Sequence, residues 1–262
     1  LTDAAGPSLF GLHGQVALVT GASGGLGQAI AQVFASQGAD LVLSDRPGSD
    51  LEALATQCRA WGVRVQTVTA DLSDARDAAD TGPRAIEAFG RIDTVVCNAG
   101  MQGPAGPLLD VDRDDWDRVF QVNLASAHAL CAALVPGMAA RGRGCVILMA
   151  SIAALRGNRA IGLYGLTKAA LSQMARNLAV EWGPRGVRVN AVAPGLIRTP
   201  LSQGLLVDEA FMAKRLAMTP LRRVGEPHEV AGVAAMLASP AGGFITGQTL
   251  VVDGGTLVSD GG

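Results

Sequence analysis

The chain has 262 residues, of which 49% are apolar and 17% charged, and its formal net charge is −2. That length suits one large α/β domain or two small ones and is enough for a sizeable core. The near-neutral balance without a basic block argues against nucleic-acid and anionic-membrane partners, and the long mostly apolar run "VILMASIAAL" is well short of the roughly 20 residues that span a bilayer.

In chain order, "LTDAAGPSLFG" has neither a basic start nor an apolar stretch, so it does not read as a secretory signal, and the absent initiator Met suggests processing or trimming. Strand "QVALVT" then runs into the glycine-rich turn "TGASGGLG" (Thr20 to Gly27) and a helix from Gly25 to Gln37. Further strands are expected at "DLVLSD", "VRVQTVTA", "DTVVCNAG", "GCVILMAS", "VRVNAVAPG" and "QTLVVDGG". Helical patterns lie between them at Asp50 to Trp61, Asp74 to Phe89, Arg113 to Ala140, Tyr164 to Trp182 and Pro227 to Ala238. Strands that are almost continuous Val, Ile and Leu belong to parallel sheets covered on both faces. Regular alternation without a break in composition predicts one doubly wound α/β domain over residues 1–262, with 1–11 as an N-terminal extension. Residues 196–227 resist the alternation; such a long insertion is expected to be a lid or binding loop with one or two short helices.

A glycine-rich turn between strand and helix offers bare backbone N–H groups at the positive end of a helix dipole, where a diphosphate fits. Gly21 would permit the tight turn, Gly25 the close approach and Gly27 the packing of helix on strand, with Ser23, Gly24 and Leu26 completing the cradle. Asp45 ends the second strand about twenty residues on, where a carboxylate accepts hydrogen bonds from the adenosine ribose of NAD and repels the 2′-phosphate of NADP. The adjacent Arg46 has the opposite tendency, so NAD(H) is the preferred cofactor and NADP(H) remains possible. Asp71 and Leu72 close the third strand, placed for the adenine edge and face. Asn98, Ala99 and Gly100 close the fourth, small groups to lie along ribose and phosphates. All fall at carboxyl ends of strands, where open parallel sheets gather ligands.

Tyr164 is the only tyrosine in the chain, and Lys168 follows four positions later, on the same helical face. A nearby ammonium, like an oxidised nicotinamide ring, favours the phenolate; reaching neutrality from a pKa near 10 needs a shift of about three units, or roughly 4 kcal/mol. Ser151 ends the fifth strand thirteen residues before Tyr164 and is placed to bond the same substrate oxygen. Asn123, polar among apolar neighbours in "QVNLAS", needs a buried partner, which a water leading to Lys168 would supply.

"TGASGGLG", "CNAG", "VNLAS", Ser151, "YGLTK" and "APGLIRTP" stand in the order and spacing of the short-chain dehydrogenase/reductase family, which the chain resembles from about Gly11 to "FITGQTLVVDGG". The resemblance implies a Rossmann-type domain that binds NAD(H) or NADP(H) and interconverts alcohols and carbonyls. It implies Tyr164 as general acid/base, Ser151 as the group that orients the carbonyl, Lys168 on the nicotinamide ribose and lowering the tyrosine pKa, and Asn123 holding a relay water. Pro194, Gly195, Ile197 and Thr199 would wrap the nicotinamide, Ile197 bonding the carboxamide through its backbone. Cys97 departs from the family's usual first Asn in "NNAG", and Gly165 is a weaker helix former than the usual small residue. A homotetramer or dimer is implied, built on the Asn123 and Tyr164 helices and on the C-terminal strand region.

The four cysteines lack CxxC spacing and read as buried free thiols of a cytoplasmic protein; neither they nor His13, His128 and His228 form a metal-ligand grouping. Substrate contacts are expected from "MQGPAGPLL", from "IAALRGNRAIG" and from the lid's Leu201, Leu205, Leu206, Phe211, Met212, Leu216 and Met218, which either line a pocket or serve docking. Arg156 and Arg159 are candidates for an anionic substrate, with a solvated loop the favoured reading. Two alternatives stand beside a secondary-alcohol oxidoreductase. One is a 3-oxoacyl-(acyl-carrier-protein) reductase, disfavoured by Asp45 and by Val180 where that role wants a docking arginine. The other is a non-catalytic dinucleotide sensor, which has no need of the phenol.

Overall fold

Strand β1 (Val16–Thr20) is buried at all five positions, as a central strand covered on both faces must be. The computed structural model, which describes residues 8–259, sets it in the middle of a seven-stranded sheet. The chain runs outward through α1 (Gly25–Ser36), β2 (Asp40–Asp45), α2 (Leu51–Arg59) and β3 (Val65–Thr69). It returns over α3 (Ala75–Phe89) to lay β4 (Thr94–Cys97) on the other side of β1, and continues through β5 (Gly144–Met149), β6 (Val187–Pro194) and β7 (Thr249–Val252). The strand order is β3-β2-β1-β4-β5-β6-β7 and every pairing is parallel. The order therefore reverses between β1 and β4, which opens a crevice at their carboxyl ends.

Each face of the sheet buries its own core. One is built on Ile30, Ala31 and Phe34 of α1 and Val230, Ala234 and Leu237 of α9 (Pro227–Ala238). The other takes Leu130, Leu134 and Met138 from α5 (Ser126–Ala140) and Leu171 and Ala175 from α6 (Gly162–Trp182). Fully buried side chains of this size contribute roughly 1.5–3 kcal/mol each. Capping is local and sequence-encoded: Asp50 accepts from Ala53 N at the start of α2, and Asp74 from Arg76 N and Asp77 N at the start of α3.

The long helix expected over Arg113 to Ala140 is continuous but not uniform. It begins as α4 (Arg113–Phe120), passes through a π turn at Gln121–Ala125 and resumes as α5. This run is long and apolar enough to cross a membrane, yet its apolar residues are those that cover the sheet. The Tyr164 helix begins two residues earlier than expected, at Gly162. Residues 196–227 fold as a 3-10 turn (Pro200–Ser202), α7 (Gln203–Leu206) and α8 (Glu209–Ala217), and neither helix has a buried residue. Of the expected N-terminal extension, residues 1–7 lie outside the described residues; Leu9 accepts a backbone bond from Ala241 N at 3.0 Å.

Candidate active site

The β1–α1 turn has the form its glycines predicted. Gly21 is at φ +62°, and a Cβ there would lie 2.8 Å from Ala99 Cα; one on Gly27 would lie 2.1 Å from Gly21 O. The N-cap of α1, Gly24, makes no side-chain cap, and the first turn carries no acidic residue. Its leading N–H groups therefore point out unneutralised, beside the β1–β4 crevice. Gly25 has a neighbour the sequence did not reveal: a Cβ there would meet Thr199 Cβ and Pro200 Cδ, each at 2.9 Å. The segment after β6 thus closes over the turn, and its backbone approach leaves a narrow cradle that suits a diphosphate.

Asp45 has a role beyond the expected one. Its Oδ2 accepts from Ser23 N at 2.9 Å and Ser23 Oγ at 2.6 Å, and its Oδ1 from Arg46 N at 2.8 Å. The carboxylate thereby ties the glycine turn to the tip of β2. Asp71 accepts from the backbone and hydroxyl of Ser73, which hold its carboxyl below the ordinary range, helped by the nearby Arg46 charge. Arg46 is therefore close to Asp71. Leu72 is buried with Ala70 and Ala78 and packs against Ala99, so its side chain is largely engaged within the protein. Asn98 donates from Nδ2 to Thr20 O (2.9 Å) and Gly21 O (3.0 Å), while its N–H and that of Ala99 reach Thr20 Oγ1. These bonds span the crevice from β4 to β1. Thr20 was not singled out from sequence, although a hydroxyl next to the turn glycine was the available signal.

On the far side of the crevice, Ser151 caps the turn Ile152–Ala154 by accepting from Ala153 N at 3.1 Å, and its hydroxyl lies near enough to the Tyr164 phenol to favour the phenolate. Lys168 is 3% exposed; its Nζ donates to Met149 O at 2.7 Å and sits 5.4 Å from the Tyr164 ring centroid. Burial pushes the phenol above its ordinary pKa, with the Ser151 hydroxyl pulling in the opposite direction. Burial also pushes the Lys168 ammonium down to about 8. The sequence argument expected the lysine to make the phenol acidic; in the protein alone desolvation wins and the phenol is held protonated.

Asn123 lies in the π turn, 1% exposed, and finds partners other than the expected water. Its Oδ1 accepts from Met101 N at 2.8 Å, and its Nδ2 donates to Met101 O at 2.9 Å and Thr167 Oγ1 at 3.0 Å. Gly100 touches this group closely, since a Cβ there would be 3.2 Å from Lys168 Nζ and 3.3 Å from Asn123 Oδ1. Cys97, at the departure from the family pattern, is buried with its thiol pushed well up, first by the neighbouring Cys131 thiol and then by burial.

After β6, Pro194 and Gly195 pair with β7, Gly195 N donating to Val252 O at 2.9 Å. Ile197 is 6% exposed, and its carbonyl accepts from Ser202 Oγ at 2.6 Å, which leaves the N–H as its donor toward a ligand. Thr199 N in turn donates to Ser202 Oγ at 3.1 Å. The hydride donor or acceptor that this cleft fits is a nicotinamide dinucleotide: the bare helix start takes the diphosphate, and the glycine positions leave space where any Cβ would collide.

Comparison with known proteins agrees with this geometry. The family described as enoyl-(acyl carrier protein) reductase matches residues 21–256. An uncharacterized oxidoreductase of Mycobacterium tuberculosis is 43% identical over 248 residues, covering 94% of each chain. Among solved structures, a gluconate 5-dehydrogenase from Burkholderia cenocepacia in complex with NADP and tartrate superposes with a TM-score of 0.90 at 32% identity, covering 96% of this chain and 98% of its own. A 7α-hydroxysteroid dehydrogenase complexed with NADH and 7-oxo glycochenodeoxycholic acid gives 0.89 at 33% identity, over 94% and 96%. With its seven-stranded parallel sheet and its motifs in register, the chain belongs to the short-chain dehydrogenase/reductase family of NAD(P)-dependent oxidoreductases that act on alcohols and carbonyls.

Proposed function

We propose that Tyr164 exchanges a proton with the oxygen of a secondary alcohol or its ketone, with NAD(H) as the preferred cofactor. The observation that carries this is the placing of the only tyrosine beside Ser151 and a buried lysine, whose Nζ lies 5.4 Å from the ring centroid. The nicotinamide supplies or accepts the hydride when bound. In the reducing direction a phenol kept protonated by burial is a ready acid, and Ser151 holds the carbonyl oxygen against it. In the oxidising direction the same phenol needs help to lose its proton, and Lys168 is the cation at hand. Lys168 would also hold the nicotinamide ribose, while Asn123 fixes the Met101 backbone and Thr167 around it and carries the relay outward. Pro194, Gly195, the Ile197 N–H and Thr199 would line the nicotinamide, and Gly21, Ser23, Gly24, Gly25 and Leu26 the diphosphate.

Two carboxylates, Asp45 and Asp71, flank the adenosine end and favour ribose hydroxyls over a 2′-phosphate; Arg46 lies close to Asp71, which offsets its pull on such a phosphate. Related structures hold NADH in one case and NADP in another, so the preference rests on these residues. Residues 196–227 act as the substrate lid. Val180, 79% exposed on α6, offers no charge for docking an acyl carrier, which supports a free small molecule as substrate. Assembly into a dimer or tetramer is supported by an apolar groove between α4–α5 and α6, lined by Phe120, Leu124 and Met174, and by β7 as an open sheet edge. A cytoplasmic site of action fits four buried free cysteines.

The test is a panel of secondary alcohols and ketones followed at 340 nm with each cofactor in turn. The expected result is turnover with higher kcat/KM on NAD(H), and a loss of roughly 10²–10⁴-fold in Tyr164→Phe with NADH affinity unchanged. Full activity in Tyr164→Phe overturns the role of the phenol, and no turnover by the parent protein favours a dinucleotide sensor.

A further inference from the structure

Most arginines here are either paired or fully solvated. Among the described residues without a side-chain hydrogen bond or ion pair, Arg46, Arg76, Arg143 and Arg159 are exposed. Arg156 and Arg215 are unpaired and yet half-buried, and Arg215 Nε is shut away from solvent with no acceptor. A buried N–H on a cation without a partner is among the costlier features a fold retains.

The two come from segments far apart in the chain. Arg156 follows Ser151 by five residues, on the loop that leads to Tyr164; Arg215 is on α8 in the segment over the cleft. They are close enough that the charge of Arg156 works against that of Arg215, while Asp253 works for it. Asp253 does not neutralise the pair: its oxygens accept from Gly255 N at 2.8 Å and Leu257 N at 2.7 Å, and no ion pair joins it to either arginine. Asp253 also stands against Gly195, where a Cβ would come within 2.6 Å of its own Cβ. Through Asp253 the pair lies close to the expected nicotinamide segment, and Arg156 belongs to the loop that joins Ser151 to Tyr164. Two cations and one carboxylate leave a single positive charge at this spot, which one carboxylate would balance.

We infer that Arg156 and Arg215 bind a carboxylate of the substrate, so that the alcohol or ketone this protein turns over is a hydroxy acid or keto acid. The inference rests on the proposed placement of the reacting carbon beside Ser151 and Tyr164. Guanidinium forks suit this ligand because they meet both carboxylate oxygens at once.

The experiment compares four- to six-carbon hydroxy acids with their primary amides as substrates, in the parent protein, Arg215→Gln, Arg215→Lys and the exposed control Arg143→Gln. The parent is expected to prefer the acids by about tenfold or more in kcat/KM, the value of one charge-assisted bond. Arg215→Gln should erase that preference through KM, Arg215→Lys should keep part of it, and Arg143→Gln all of it. Equal use of acids and amides by the parent, or a preference that survives in Arg215→Gln, overturns the inference and leaves the oxidoreductase reading intact. If nothing in this panel turns over while other secondary alcohols or ketones do, the hydroxy-acid inference fails and the oxidoreductase reading stands. Calorimetry with tartrate and with its neutral counterpart threitol, on protein saturated with NADH, still decides the arginines: tartrate bound selectively and weakened in Arg215→Gln supports them, and any other pattern overturns them.

Discussion

The floor and the cover of the cleft are held by different means. The floor consists of the β1–α1 turn, the strand ends at Asn98 and Ser151, and the start of α6. Its side chains are tied to backbone across the crevice, and its glycines sit where a single carbon would collide. The cover, α7 and α8, contributes no buried residue, and Leu201, Leu205 and Val207 stand 63%, 41% and 70% exposed. A floor of fixed geometry with a loosely anchored cover is what lets a site define its chemistry in one place and admit ligand in another.

The sharpest way to test the contrast is at Lys168. Its ammonium is held charged in a buried place that lowers its pKa from 10.5 to about 8. Above about pH 8 the folded protein gives up this proton while the unfolded chain keeps it until about 10.5, so this one group makes stability rise with pH across that window. Lys168→Met should therefore abolish activity yet stabilise the fold at pH 7. The gain is on the order of 2 kcal/mol, being a desolvation penalty of about 3 kcal/mol less the lost bond to Met149. Denaturant titrations at pH 7, 9 and 10.5 would show it, and the variant's advantage should shrink as pH rises. An equal or larger advantage at pH 10.5 would contradict the assignment.

Gly27→Ala should lower stability by about 1–3 kcal/mol and weaken dinucleotide binding, because the new carbon overlaps Gly21 O and pushes α1 off β1. Thermal melts with and without NADH would read both effects. Asp45→Asn should cost NADH about tenfold in affinity, since the turn loses a charged acceptor and the ribose its partner, while NADPH gains; fluorescence titration of both checks it. Leu205→Ser, on the cover, should change unfolding free energy by no more than about 0.5 kcal/mol. A large loss there would mean the cover is as firmly packed as the floor.

The contrast also separates what the sequence made legible from what it hid. The glycine turn, the strand ends and the Tyr164–Lys168 pair are short-range patterns whose geometry follows from strand and helix periods, so the doubly wound parallel sheet was readable while its strand order was not. The Asn123 partners were not, because Met101 and Thr167 reach it only through the π turn and the packing of α6 on it. Nor could the balance at Tyr164 be read, since it depends on how much water the phenol loses, a tertiary quantity. The cover was hardest. With no alternation and no buried face, nothing in its order of residues indicates that Arg215 returns to Arg156.

Asn98 has one more implication. By donating at once to the last carbonyl of β1 and to that of Gly21 in the turn, it pins the gap between neighbouring strands at a single width. A parallel sheet that reverses direction at that place would otherwise be free to pinch shut or splay under thermal motion. The amide acts as a spacer bar, so a cofactor meets a slot already cut to size, and little of its binding energy is diverted to prising the strands apart.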